Sequence, residues 1–202
     1  MKRDLVLIVL LLVALATTKA GMSGLNGKEI SGSAQKEIAV VETSMGTFEI
    51  LLYRADAPKT VENFVRLSQK GYYNGIIFHR VAKGFVIQTG DPTGTGSGGR
   101  SIWGKEFEDE LNPDTPSYKE GYVKGVVAMA NRGPNTNMSQ FFILLNDAPR
   151  LPHNYTIFGK VVKGMDVVER IGQVPITPQL GPNDGRPLKN IVIKKITIRI
   201  IK

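Results

Sequence analysis

The stretch that decides the fold reads FHRVAKGFVIQTGD, residues 78–91. It is mostly apolar, yet it contains Arg80 and Gln88, and such polar groups cost free energy when they are buried without a partner. A second stretch, MANRGPNTNMSQFFI at residues 129–143, joins a polar turn to an aromatic run. A site that binds an apolar ring beside an amide group would explain both stretches, since it needs apolar walls and polar donors together.

Residues 76–81 are predicted to form a strand, in which successive side chains point to opposite faces. Phe78 and Arg80 would then share one face, with His79 on the other as a structural residue. A surface salt bridge is the simplest alternative role for Arg80. For Phe85 and Phe142 the alternative is plain core packing, which is the usual fate of a phenylalanine.

Short β-branched and aromatic runs recur along the chain and predict an all-β barrel or sandwich with helical caps. The first two runs are predicted to form a hairpin across Ser44, Met45 and Gly46. Helices are predicted at residues 58–71 and 165–171. The predicted strands are 38–42, 47–53, 76–81, 85–88, 126–130, 141–145, 156–162 and 191–201.

The beginning of the chain resembles a targeting segment. Lys2 and Arg3 precede an apolar run at residues 5–16, and small residues follow up to Ala20. We therefore expect residues 1–20 to be a signal peptide or N-terminal anchor, 21–36 a flexible linker, and 37–202 the folded domain. The run is shorter than the roughly 20 residues of a spanning helix. Export is expected, and an uncleaved leader that tethers the chain to a membrane through residues 5–16 stays open.

Composition excludes several kinds of chemistry. The chain has no cysteine, which excludes disulfides and thiolate sites, and only two histidines, which disfavours a histidine zinc site. The net charge of +8 comes partly from the leader and partly from basic residues that alternate with isoleucines near the C-terminus. That alternation is typical of the solvated side of a strand rather than of a nucleic-acid surface. We expect no metal and no nucleic-acid partner.

The glycine-rich loop at residues 94–101 matches a G-x-G-x-x-G pattern. A phosphate-binding loop must leave a buried strand and enter a helix. Here Asp91-Pro92 precede the loop, and Asn112-Pro113 beyond it leave little room for a helix. We interpret the loop as a structural turn and expect no nucleotide binding.

At these motifs the sequence resembles the cyclophilin family, from about residue 38 to 202. The resemblance rests on the stretches at residues 78–91 and 129–143, on F-x-D-E-L at residues 107–111 and on I-F-G-K-V at 157–161. It implies a closed eight-stranded antiparallel barrel capped by two α-helices. It also implies a peptidyl-prolyl cis/trans isomerase that needs no cofactor and acts on proline-containing polypeptides. We expect the protein to be a monomer. A non-catalytic proline-peptide binding or chaperone module is the alternative.

The resemblance also implies roles for individual residues. Arg80 would donate to the prolyl nitrogen of a twisted amide, Gln88 would hold Arg80 or the substrate carbonyl, and the Asn131 backbone would pair with the peptide. These three are the predicted catalytic residues. The predicted substrate-binding residues are Phe85, Val86, Ala130, Gln140, Phe142, Leu151 and Tyr155.

The sequence departs from the family pattern at two positions of the predicted site. Read without gaps, Arg150 stands where the family usually has Trp, and Tyr155 where it usually has His. Because family members use that indole to hold ciclosporin, weak ciclosporin binding is expected. A register shift within residues 147–154 would bring in His153 instead of Tyr155. Two sequons, at Asn137 and Asn154, lie near the predicted groove.

Overall fold

The computed structural model describes residues 35–201. The predicted leader and residues 21–34 of the predicted linker lie outside the described residues. The first strand begins at Lys36, one residue before the predicted start of the domain. Within residues 35–201, no helix has the length and apolar character that crossing a membrane requires.

The described residues form ten strands and three helices. The strands are β1 (Lys36–Thr43), β2 (Gly46–Leu52), β3 (Arg80–Ala82), β4 (Val86–Thr89), β5 (Val126–Met129), β6 (Phe141–Leu144), β7 (Ile157–Lys163), β8 (Ile176–Gly181), β9 (Asp184–Pro187) and β10 (Ile193–Ile201). The helices are α1 (Pro58–Gln69), α2 (Pro116–Glu120) and α3 (Met165–Gly172). Helix α1 follows β2, α2 follows β4, and α3 follows β7.

All pairs in the sheet are antiparallel, in the order β10-β1-β2-β7-β5-β6-β4-β3-β9-β8. The eight strands from β10 to β3 make the barrel. Its two ends meet through the segments that precede β3 and β10, where Phe78 N–H donates to Ile191 O at 2.9 Å and Ile193 N–H donates to Ile76 O at 2.8 Å. The predicted eight-stranded antiparallel barrel is confirmed.

The predicted strand at residues 76–81 is wrong over most of its length, because only Arg80–Ala82 is regular strand and Ile77 forms an isolated bridge with Val192. Strand alternation therefore does not govern this segment. Phe78 is buried in the main core, whereas the side chain of Arg80 lies at the surface of a cleft. The two do not share a face.

Three elements are absent from the prediction, namely the short helix α2 and the two strands of the β8–β9 hairpin. The helix is capped by the Thr115 side chain and has only five residues, which are too few to show a periodic pattern. Strand β8 is largely exposed, so no alternation of buried and exposed positions marks it. The hairpin extends the sheet beyond β3, beside Arg80.

The core has two parts because the strands bury both faces. Phe141 and Ile143 of β6 point into the main cluster, where α1 packs Phe64 edge-on against Phe141 at a ring distance of 5.5 Å. Phe142 and Leu144 point the other way, into a smaller cluster. Helices α1 and α3 cover the main cluster, as the prediction of two capping helices requires. The smaller cluster forms the floor of a surface cleft.

Candidate active site

A cleft of about 290 Å³ opens beside the smaller cluster. Nine of the ten site residues predicted from the sequence line it, and the tenth, Gln140, contacts one of them directly. The nine are Arg80, Phe85, Val86, Gln88, Ala130, Asn131, Phe142, Leu151 and Tyr155. One cleft therefore brings together residues that lie far apart in the sequence.

Strand register places the central residues of the cleft. Arg80 on β3 pairs with Gln88 on β4, and Gln88 pairs with Phe142 on β6. Directly opposed residues of neighbouring strands point to the same face and touch. The guanidinium, the amide and the aromatic ring therefore form one row across three strands.

Arg80 is held at two places. Its Nη1 donates to Gln88 Oε1 at 3.1 Å, and its Nε and Nη2 donate to the two carboxylate oxygens of Asp184 at 2.8 and 2.6 Å. The hydrogen bonds to Asp184 raise the pKa of Arg80, so the guanidinium stays charged. Arg80 thus does form a salt bridge, but it also lines the cleft, and 29% of its side chain is exposed.

A chain of amide hydrogen bonds continues from Gln88. Gln88 Nε2 donates to Gln140 Oε1 at 3.0 Å, and Gln140 Nε2 donates to the carbonyls of Gly96 and Gly98 at 3.0 and 2.7 Å. Each amide uses both its oxygen and its nitrogen in this chain. The orientation of Gln88 toward Arg80 is therefore fixed by the glycine-rich loop.

That loop is organised by Asp91, whose buried carboxylate accepts the backbone N–H groups of Thr93, Thr95, Gly96 and Gly98 at 2.7 to 3.1 Å. Burial opposes the charge, but the hydrogen bonds from Thr93 and the loop amides outweigh it and lower the pKa of Asp91 to about 2. The loop amides cradle a carboxylate of the chain itself. This geometry supports the interpretation of a structural turn rather than a phosphate site.

The apolar side of the cleft is built around two rings. Tyr155 packs edge-on against Phe142 at a ring distance of 5.5 Å. Tyr122 fixes the backbone of Tyr155, because its hydroxyl donates to Tyr155 O at 2.8 Å and accepts from Tyr155 N–H at 3.0 Å. His153 stacks on Tyr118 and Tyr122 instead of lining the cleft. The gapless alignment, with Tyr155 in the site, agrees with this arrangement.

Other predicted positions have separate outcomes. Asn131 lines the cleft, and its side-chain amide donates to Asn154 O at 2.8 Å. His79 is buried, and burial lowers its pKa. It lines a second groove together with Arg80. The prediction that His79 faces away from Arg80 is therefore wrong. Within residues 35–201, no group of three or more acidic or histidine side chains is placed to hold a metal.

The two sequons differ in accessibility. Asn137 is fully buried, and its side-chain nitrogen donates to Phe107 O at 3.2 Å and to Asp109 Oδ1 at 2.7 Å. A glycan on this nitrogen would break both bonds and could not fit in the folded domain. Asn154 is exposed beside the cleft.

Sequence reasoning missed Asp184 and Tyr122, both of which hold cleft residues in place. Asp184 lies in the stretch GPNDGRP, which carries only turn signals. Tyr122 precedes β5 without any pattern that distinguishes it from a core residue. The turn residues around Asp184 are compatible with a β8–β9 hairpin. They are the signal in the sequence that could have drawn attention to this carboxylate.

Comparison with known proteins agrees with the fold. The family model "Cyclophilin type peptidyl-prolyl cis-trans isomerase/CLD" matches residues 38–198. Human peptidyl-prolyl cis-trans isomerase-like 3 is 49% identical over 158 residues, which are 78% of this chain and 93% of that protein. Mouse peptidylprolyl isomerase domain and WD repeat-containing protein 1 is 50% identical over 161 residues, which are 80% of this chain but only 24% of that protein.

Solved structures give the same result. A Cryptosporidium parvum cyclophilin type peptidyl-prolyl cis-trans isomerase, crystallised in the presence of the dipeptide ala-pro, superposes with a TM-score of 0.72 and 39% identity. The match covers 80% of this chain and 98% of that structure. The chain therefore belongs to the cyclophilin family. The prediction of a cyclophilin-type peptidyl-prolyl cis/trans isomerase is confirmed.

Proposed function

We propose that isomerisation takes place in the 290 Å³ cleft, with Arg80 as the donor to the prolyl nitrogen. The observation that carries this assignment is the row of Arg80, Gln88 and Phe142 across three neighbouring strands. It places a fixed cation beside an aromatic wall. The dipeptide ala-pro present with the Cryptosporidium parvum relative supports a proline-containing peptide as the ligand of this fold.

The chemical problem is a rotation. Amide resonance gives a barrier of about 18–20 kcal/mol, and rotation makes the prolyl nitrogen pyramidal and able to accept a hydrogen bond. A donor at that nitrogen stabilises the twisted amide and does nothing for either planar form, so it lowers the barrier. Each 1.4 kcal/mol gained in this way is about tenfold in rate.

Arg80 retains donors for this task. A guanidinium carries five N–H bonds, and three of those on Arg80 are directed at Asp184 and Gln88. The remaining two, one on Nη1 and one on Nη2, are not used by either contact, and Arg80 lines the cleft. Because the side chain is already held, little conformational freedom is lost when it meets the substrate.

The apolar side chains that line the cleft would bind the proline ring. Phe85, Val86, Phe142 and Leu151 line the cleft together with Arg80 and Gln88. Burying a proline ring of three methylenes there is worth about 2 kcal/mol at roughly 0.8 kcal/mol per methylene. The ring stays fixed while the preceding residue turns, with the Asn131 backbone holding the peptide on one side.

Exchange spectroscopy on a short Ala-Pro peptide tests the assignment. The 202-residue chain should accelerate cis/trans exchange at substoichiometric concentration, and Phe142→Ala should weaken peptide binding. A matched control is Phe107→Ala, which removes a buried ring outside the cleft. Peptide binding without acceleration would instead show a non-catalytic proline-binding module.

Weak ciclosporin binding is a further part of the proposal. Arg150 is exposed next to Leu151 at the rim of the cleft, where its charged side chain offers no indole to the drug. Arg150→Trp should therefore tighten ciclosporin binding by at least about tenfold, as measured by calorimetry. Equal affinities of the two proteins would contradict this explanation.

We further propose that the protein is exported and monomeric, with residues 1–20 acting as a signal peptide or anchor and 21–36 as a linker. The charged and apolar pattern of residues 2–16 supports export. Among the large exposed apolar side chains of the described residues, Trp103, Val162 and Leu180 lie in separate parts of the chain. N-terminal sequencing of the fractionated protein and light scattering at two concentrations test these points.

A further inference from the structure

We propose that Asp184 is a positioning residue that orients the Arg80 guanidinium for donation into the cleft. The inference rests on the proposed function, in which Arg80 is the donor. Asp184 belongs to the β8–β9 hairpin, which lies outside the eight strands of the barrel. The hairpin would thereby contribute to catalysis through the position of Arg80.

The contact between the two side chains is bidentate. Asp184 Oδ1 accepts from Arg80 Nε at 2.8 Å, and Oδ2 accepts from Nη2 at 2.6 Å. A carboxylate that faces two parallel N–H bonds fixes the plane of the guanidinium as well as its position. Gln88, which makes a single bond to Nη1, cannot fix that plane alone.

The strand register explains why Asp184 reaches Arg80. Strand β9 pairs with β3 so that Gly185 faces Val81 and Asp184 faces Ala82. Residues two apart on a strand share a face, so Asp184 is the diagonal neighbour of Arg80 on the same side of the sheet.

The hairpin itself is well fixed at this point. A Cβ atom on Gly185 would lie 2.0 Å from Thr177 O, which shows how closely β8 and β9 approach. Lys83 N–H donates to Asn183 O at 2.8 Å, which anchors the residue before Asp184 to the end of β3. The carboxylate is therefore presented from backbone that is tied on both sides.

Arg80 lies between the cleft and the β8–β9 hairpin. On the hairpin side it borders a second groove of about 330 Å³, which Asp184, His79 and Gln179 also line. Asp184 therefore holds the Nε and Nη2 edge of Arg80 from the groove side. A side chain held by Gln88 alone would keep its contact through Nη1 but would lose the second contact that sets the plane of the guanidinium beside the cleft.

Asp184→Asn in the full chain tests the inference by exchange spectroscopy over a peptide concentration series. We expect kcat to fall about tenfold, the equivalent of one lost orienting contact, while peptide Kd stays within about twofold. The Nε–H resonance of Arg80 should lose its protection from solvent exchange. Asp184→Glu, which keeps both oxygens, should recover part of kcat.

Glu37→Gln is the matched control, because Glu37 makes a bidentate pair with Arg54 at 2.8 and 2.8 Å outside the cleft. It should leave kcat unchanged. An unchanged or higher kcat in Asp184→Asn, or a weakened Kd with unchanged kcat, overturns the positioning role. If Arg80→Ala is inactive while Asp184→Asn is fully active, only this inference fails; if Arg80→Ala stays active, the proposed function fails with it.

Discussion

Gln88 lies directly opposite Arg80 in the pairing of β3 with β4, and its side-chain oxygen accepts from Arg80 Nη1 at 3.1 Å. Its nitrogen in turn donates to Gln140, which is fixed by two carbonyls of the glycine-rich loop. The loop therefore acts on Arg80 through two amides. A substitution of either glutamine should therefore change the position of the Arg80 guanidinium.

Gln88→Leu should lower kcat/KM by about tenfold, because Arg80 loses one of its two restraints and keeps only Asp184. Exchange spectroscopy on the Ala-Pro peptide measures the effect. Gln173→Leu is the control, since Gln173 is an exposed glutamine after α3. Full activity of Gln88→Leu would show that the amide chain does not act on Arg80.

Tyr122→Phe should raise the KM for the peptide and lower the free energy of unfolding by about 1–3 kcal/mol. The hydroxyl of the buried Tyr122 both donates to and accepts from the Tyr155 backbone, so its loss leaves the partly buried N–H and C=O of Tyr155 without these partners. Tyr118→Phe, in the same aromatic stack, is the control. Denaturant unfolding that is equal for both variants would contradict the prediction.

Asp91 should make stability depend on acid pH. Its folded pKa of about 2 lies below the ordinary value of 3.8, so the unfolded chain takes up the proton first. The stabilisation is complete above about pH 5 and is lost as the pH falls through the folded value near 2. Urea midpoints across this range measure it, and Asp91→Asn should remove this part of the pH dependence. An identical profile for both proteins would refute it.

Gly90→Ala should destabilise the domain by about 3 kcal/mol, since left-handed strain and a backbone clash add. Gly90 has a φ of +91°, and an added Cβ would lie 2.3 Å from Ser139 O. Gly104→Ala separates the two causes, because Gly104 has a φ of +74° with nothing within 4 Å of the added atom. Gly90→Ala should be clearly the less stable in thermal unfolding; equal melting temperatures would argue against the clash.

The sequence predicted best what local patterns encode. Arg80, Gln88 and Phe142 lie in stretches whose mixture of polar and aromatic residues is unusual enough to mark a site. Asp184 could not be predicted in this way, because it is 104 residues from Arg80 and reaches it only through the register of β9 on β3. Likewise, the prediction that Phe78 and Arg80 share one face is wrong, because the barrel closes there through irregular backbone rather than through a strand.

The most direct test of the central claim is the cis/trans exchange rate of an Ala-Pro peptide with Arg80→Ala. Because one transition-state donor is removed, we expect kcat to fall by about 10²–10³-fold while peptide Kd changes little. Retention of the native exchange rate in this variant, with the fold intact by its amide spectrum, would contradict the assignment of Arg80.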